Sequence, residues 1–352
     1  MRRIPLLGLA MLVGCSSQAP DVRPSGLPLG IAFPPVADRE QRAFTIDQLG
    51  TLGIRHVRIG QQWALREPER DVHVWRPLED RLSALEDAGV EVFLTFEIKG
   101  LPDWLGALSA GEQEDEFREY VRELLRRVGA VLDWVQFGNE WNTELERFAG
   151  GDVETFIRLA NVLHDEVQRL PSSSRPEVAL SSFSIGGLHE LAFLQGRIGN
   201  VVLEGGPLYS AAEIAAAERE GPATLEAARA VVGQVRYDAV DLHLYDDYWS
   251  WPEYRDAVTQ LATDAGRTNG LRFLVSEFGG PHPTLEPGGE SFEASLVEDY
   301  VETLAGMGIE RAYFFKLVEE RGADIAHPNS FLIDADLRRT ASFDVIRQAA
   351  TR

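Results

Sequence analysis

From residue 29 to residue 350, short apolar runs alternate with amphipathic stretches, and this restricts the chain to an α/β fold built on a parallel sheet. The strand-like runs are LGIAF (29–33), IRHVRIG (54–60), VEVFLTF (90–96), the run entering QFGNEWN (136–142), EVALSSF (177–183), AVDLHLY (239–245), RFLVSEF (272–278) and IERAYFFKL (309–317). Helices are expected over 38–52, 76–88 and 113–129, from the N-cap Asp152 to about Leu170, and over 291–306 and 340–350. Eight strand–helix units fit a (β/α)8 TIM barrel, which occupies about 250 residues. The surplus falls in the Ala/Glu-rich segment 186–235, which reads as an insertion between the fifth and sixth strands. A doubly wound sheet is the competitor. It would carry a Gly-rich phosphate loop after its first strand, where this chain has Phe33-Pro34-Pro35-Val36.

Alternation within the strands points the same way. In DLHLY, Asp241, His243 and Tyr245 share one face, and Leu242 and Leu244 the other. In a barrel the leucines meet the helices and the polar set lines the interior near its top. The same parity turns Arg58 inward and Val57 and Ile59 outward, and on the seventh strand it groups Phe273, Val275 and Glu277. The C-terminal ends of barrel strands carry the chemistry, and two carboxylates stand there. Glu140 opens the loop after the fourth strand, and Glu277, in LRFLVSEFGG (271–280), lies at the end of the seventh. Either alone reads as well as an ordinary surface acid. Together, on roughly opposite sides of a closed mouth, they are the minimum for cleaving a glycosidic bond. One protonates the leaving oxygen, and the other attacks the anomeric carbon or activates water. Separations of about 5 Å give retention and ~6.5–9.5 Å inversion.

The order and spacing of these motifs resemble the clan A glycoside hydrolases across nearly the whole chain after its N-terminal segment. The likeness is carried by Asn139-Glu140, Ser276-Glu277-Phe278-Gly279, Val57-Arg58-Ile59 through Trp63, Leu101-Pro102-Asp103-Trp104, His243 with Tyr245, and FLIDADLRRTASFDVI (331–346). The resemblance implies a retaining enzyme acting on a β-linked carbohydrate without a cofactor, with Glu140 as acid/base and Glu277 as nucleophile. Arg58 and the Tyr245 hydroxyl are placed to keep Glu277 ionised, and Asn139 to bond the sugar 2-hydroxyl. His243 is either a substrate contact or a satisfied interior histidine. Trp63, Trp104, Trp141, Trp249 and Trp251 fall on loops at the strand ends, each a sugar platform or a loop anchor, while Trp75 and Trp134 are expected in the core. Two positions depart from the clan pattern. Phe315-Lys316-Leu317 stands where relatives often place a Trp, and Glu97 and Lys99 follow the third strand where many carry a His. Lys316 and Lys99 are placed either to bind an acidic sugar or to pair with Glu97 and Glu319.

The formal net charge of −22 argues against a nucleic-acid partner. The single cysteine, Cys15, rules out an intrachain disulfide and a cysteine metal cluster. Arg2-Arg3, the apolar stretch from Ile4 to Val13, and LVGC ending at Cys15 have the layout of a secretion signal and resemble a bacterial lipobox. That implies a signal peptide over 1–14, a lipidated Cys15 with a Ser/Pro-rich tether over 15–28, and a catalytic barrel over 29–352; the alternative is an ordinary signal peptide cut nearby. The expected location is the cell envelope, at the outer membrane or cell surface, with a periplasm-facing placement also open and the lipid as membrane anchor. Two other readings compete: a non-catalytic glycan-binding surface lipoprotein, and a metal-dependent sugar isomerase or phosphodiesterase. Neither His-x-His nor His-Glu-x-x-His occurs to support the metal-dependent one.

Overall fold

The computed structural model describes residues 26–97, 100–144, 152–199, 202–203, 206–207, 210–245, 247–267, 270–279, 290–319 and 330–351. Its strands are β1 (Leu29–Ala32), β2 (His56–Gln61), β3 (Glu91–Phe96), β4 (Leu132–Phe137), β5 (Glu177–Phe183), β6 (Val202–Leu203), β7 (Gly206–Pro207), β8 (Ala239–Leu244), β9 (Phe273–Phe278) and β10 (Arg311–Phe314). Eight of them close into an all-parallel barrel in the order β1-β2-β3-β4-β5-β8-β9-β10, with β10 returning to pair with β1. The expected (β/α)8 TIM barrel is therefore the fold. Helices α1 (Arg39–Leu52), α2 (Arg76–Asp87), α3 (Ala110–Val128), α4 (Trp141–Glu144), α5 (Val153–Gln168), α6 (Ile185–Leu194), α7 (Ala211–Gln234), α8 (Trp251–Asp264), α9 (Glu290–Gly306) and α10 (Ala341–Ala350) separate the strands.

Local chemistry sets the helix ends. Asp38 and Asp152 accept the N-terminal amides of Gln41 and Thr155, and Ser109 with Glu112 forms a reciprocal capping box for α3. That box orients α3 so that Phe117, Tyr120, Val121, Leu124, Leu125 and Val128 are buried on one face, each large side chain contributing about 1.5–3 kcal/mol. The stretch 186–235 contains α6, the antiparallel pair β6–β7 and α7. Because α7 packs on α5, α6 and α8, part of that stretch belongs to the outer helical ring.

Two apolar layers follow from the pleat. One lies between sheet and helices and holds Val57, Ile59, Leu242, Leu244, Phe273 and Val275. The other fills the lower barrel with Ala32, Phe93, Trp134, Ala179, Ala239, Leu274 and Tyr313. Arg58, Asp241, His243 and Tyr245 take the inward faces expected of them. β9 does not follow simple alternation. Leu274 and Ser276 turn inward, Phe273 and Val275 outward, and the pairing with β8 slips so that Leu242 faces Val275 but His243 faces Glu277. This bulge brings the consecutive residues Ser276 and Glu277 both to the interior, so Glu277 does not share a face with Phe273 and Val275.

At the opposite end of the barrel, where β1 begins at Leu29, Arg311 pairs with Asp133 and Glu91, and Arg272 pairs with Glu310 and Glu177. No described helix is long and apolar enough to cross a membrane. Cys15, the signal and almost all of the tether lie outside the described residues, as does Lys99.

Candidate active site

The chain leaves β4 through Gly138 at φ +90°, a conformation that favours glycine, and Glu140 follows in the left-handed region at φ +49°. Such a backbone costs a bulky residue about 1–2 kcal/mol. It is held by Ser182 Oγ, which accepts the Glu140 amide at 2.9 Å, and by Thr143, whose amide donates to the Glu140 carbonyl at 2.8 Å. The turn aims the Glu140 carboxylate across the mouth toward β8 and β9.

There it meets His243. Nδ1 lies 2.9 Å from Glu140 Oε1, and Nε2 lies 3.0 Å from Ser276 Oγ and 3.4 Å from Glu277 Oε1. One imidazole thus stands between the two carboxylates, which meet at the same end of the barrel. Glu277 is held at both oxygens: Arg58 Nη1 donates to Oε1 at 2.5 Å, and the Tyr245 hydroxyl donates to Oε2 at 2.7 Å. Its side chain is 9% exposed against 28% for Glu140, and the Arg58 and His243 side chains are fully buried. Burial opposes a charge on His243, but Glu277 and Glu140 outweigh it and raise its pKa above the usual histidine value. Burial, then the negative charge of Glu277, pushes the Tyr245 phenol far up, so it remains a donor.

Arg58 organises the floor. Its Nε donates to Thr95 Oγ1 at 2.9 Å, and Nη2 donates to Asn139 Oδ1 at 2.6 Å and Gln136 Oε1 at 3.2 Å. Because a guanidinium only donates, it fixes Oδ1 of Asn139 inward and leaves the NH2 group for a ligand. Phe33, at φ +45°, places its ring 4.9 Å from the guanidinium, and Phe315 packs edge-on against both Phe33 and Tyr245. Arg58, Asn139, His243 and Tyr245 therefore all belong to the constellation around Glu140 and Glu277.

The tryptophans divide. Trp63 and Trp141 are only 2% and 3% exposed. Trp63 donates to Glu67 at 2.7 Å and stacks on Tyr120, while Trp141 lies against Phe156 and Phe183. Burial makes both loop anchors, and the expected sugar platform at either position is corrected accordingly. Trp251 is fully buried too, with its indole N–H on the Tyr245 carbonyl at 3.3 Å. Trp75 and Trp134 are in the core as expected. Trp104 is half-buried against Trp63, and Trp249 is 53% exposed. Lys316 is buried with its ammonium 4.8 Å from the Phe315 ring centre. Glu97 accepts from Gln62 at 2.9 Å and sits against Gly60, where a Cβ would collide with its carboxylate.

Among the members of the site that sequence reasoning left without a role are Gln136, Asp241 and Ser276. Asp241 accepts from Gln136 Nε2 at 2.6 Å, from the Ser276 amide at 2.8 Å and from Ser276 Oγ at 2.6 Å. Burial pushes its pKa up, against the opposing pull of His243, Arg58 and these donors. Its signal was present in the inward set Asp241, His243 and Tyr245. Among the described residues, the one group of three metal-ligand side chains that converge is His56, Glu91 and Asp133, at the far end of the barrel, where Arg311 already pairs with both carboxylates.

No established family model matches the sequence, and no curated protein is similar to it. Solved structures share the fold. A glucosidase from Croceicoccus marinus superposes with a TM-score of 0.63 at 13% identity, covering 93% of this chain and 68% of that one. The GH5_18 protein of Streptomyces cattleya in complex with GlcNAc gives 0.65 at 15%, covering 93% and 80%. A psychrophilic family 10 endo-β-1,4-xylanase gives 0.61 at 10%, covering 92% and 96%. At these identities the likeness shows the shared barrel fold.

Proposed function

We propose that the protein is a retaining glycoside hydrolase that cleaves β-linked O-glycosides by double displacement. The observation that carries this reading is the asymmetry of the two carboxylates. Glu277 is pinned at both oxygens by a cation and a phenol, while Glu140, the more exposed, shares a hydrogen bond with His243. A carboxylate held immobile beside a cation suits attack on the anomeric carbon. A carboxyl with a proton partner suits protonating the departing oxygen.

In the first step the Glu277 carboxylate bonds to the anomeric carbon as the C–O bond to the aglycone breaks, and Glu140 delivers the proton to that oxygen. The glycosyl ester removes the negative charge from Glu277, which weakens its hold on a proton at the Glu140–His243 pair. Glu140 then takes a proton from water, whose oxygen displaces the ester and restores Glu277. Asn139 is the donor for the sugar 2-hydroxyl. The exposed face of Trp249 and the half-buried Trp104 are offered as carbohydrate platforms, and Lys316 as a polar contact. We further infer export and lipid anchoring through Cys15, on the lipobox-like sequence alone.

The test is incubation with 2,4-dinitrophenyl 2-deoxy-2-fluoro-β-glycosides and mass analysis of the peptides. A fluoroglycosyl adduct on Glu277 is expected. Turnover of the parent glycoside to an inverted anomer, with no adduct, would defeat the double-displacement reading.

A further inference from the structure

A Glu140–His243 pair holds a proton for the leaving group only if the ring nitrogen that gains and loses it faces Glu140. Groups beneath the ring decide which nitrogen that is, because several of them cannot reverse their hydrogen bonds. Arg58 only donates, and its Nη2 points at Gln136 Oε1; the Leu180 carbonyl only accepts, and Gln136 Nε2 points at it at 3.0 Å. The Gln136 amide is therefore fixed, with Nε2 also donating to Asp241 Oδ2. The Ser276 amide donates to Asp241 Oδ1. These two fixed donors, one on each oxygen, favour an ionised Asp241 although burial opposes it; an ionised carboxylate only accepts, so Ser276 directs its single hydroxyl proton to Asp241. The Ser276 oxygen is then an acceptor for His243 Nε2, which has to carry hydrogen. Nδ1 remains as the nitrogen that exchanges a proton, against Glu140.

The geometry points to Asp241, buried below the cleft, as a positioning residue that fixes the Nε2–H tautomer of His243 and so confines the exchangeable proton to the Glu140 side. A neutral Asp241 would donate to Ser276, which would turn its own proton to Nε2; Nδ1–H would then be permanent and the titrating nitrogen would face Glu277. The charged and titratable groups around this relay are Arg58 on β2, Glu140 after β4, His243 and Tyr245 at β8, Glu277 on β9 and Tyr313 on β10. The catalytic consequence rests on the glycosidase reading, but the tautomer does not.

Two measurements test it. In protein labelled with 15N-histidine, His243 is expected to keep hydrogen on Nε2 from about pH 5 to about 8 while Nδ1 titrates. Asp241→Asn is expected to reverse this, with His243→Gln identifying the signal among the seven histidines. A wild-type Nε2 that titrates, or an Asp241→Asn spectrum like wild type, overturns the proposal whether or not any glycoside is cleaved. In kinetics, Asp241→Asn is expected to lose on the order of 10²–10³-fold in kcat on phenyl β-glucoside but under about 10-fold on 2,4-dinitrophenyl β-glucoside. Equal losses mean a merely structural role and also overturn it. Ser276→Ala, which deletes only the intervening hydroxyl, is expected to show the same split and carries both measurements if Asp241→Asn does not fold. A folded wild type inactive on every glycoside bears on the glycosidase reading alone, because the nitrogen assignment still stands or falls by the spectra.

Discussion

Glu277 and Glu140 differ in what surrounds them, and their substitutions should differ accordingly. On the proposed mechanism Glu277→Ala removes the attacking group, so turnover should fall on the order of 10⁵-fold, with azide restoring activity as a replacement nucleophile and yielding a glycosyl azide. On the same mechanism Glu140→Ala removes only the proton donor. It should cost on the order of 10²–10⁴-fold on a phenyl glycoside and little on a dinitrophenyl one, whose leaving group needs no proton. Equal losses would falsify the acid role of Glu140. His243 adds a pH signature. Because its pKa is raised above 6.5, the alkaline limb of kcat/KM, which reports loss of the proton from the Glu140–His243 pair, should lie above 6.5. His243→Gln should move that limb down toward ordinary carboxylate values. An unmoved limb would assign the titration to some other group.

At the scale of elements, α6 is tied to the loop behind Tyr245. His189 Nδ1 lies 3.1 Å from the Tyr254 hydroxyl, which donates to Asp247 at 2.6 Å. Burial lowers His189 to about 4. A histidine depressed in the folded state binds fewer protons there than when unfolded between pH 6.5 and 4, so its contribution is present above 6.5 and is lost as the pH falls toward 4. Asp247, raised by burial, acts in the opposite sense at the acid end. Urea midpoints of wild type and His189→Gln isolate the histidine: the advantage of wild type at pH 7 should shrink by about 2 kcal/mol by pH 4. A constant gap would place the titration elsewhere. The same scale shows what the sequence made legible. The eight strands, Asp152 as a cap, and the inward set Asp241, His243 and Tyr245 were readable because apolar spacing and capping chemistry are local. The β9 bulge was not, since a register slip depends on the neighbouring strand, and a period of two predicted Glu277 beside Phe273 rather than beside Ser276. Trp63 and Trp141 were ambiguous for a related reason: a loop tryptophan looks the same whether its ring is open or folded under, and Tyr120 and Phe156, distant in sequence, decide it.

For the whole molecule, the eight barrel strands all run one way, so each of them starts at one end of the barrel and finishes at the other. Glu140 and Glu277 lie at the finishing end, and Leu29 lies at the starting end beside the paired charges of Arg311, Asp133, Arg272 and Glu310. Labelled palmitate is expected to be incorporated at Cys15, and Cys15→Ser should abolish the label and release the protein from membrane fractions. A wild type that takes up no label would remove the anchor from the account. The 14 residues from Cys15 to Leu29 reach at most about 50 Å when fully extended. If the anchor is present, the starting end of the barrel is the end nearer the tether, and the end that carries Glu140 and Glu277 is the farther from it.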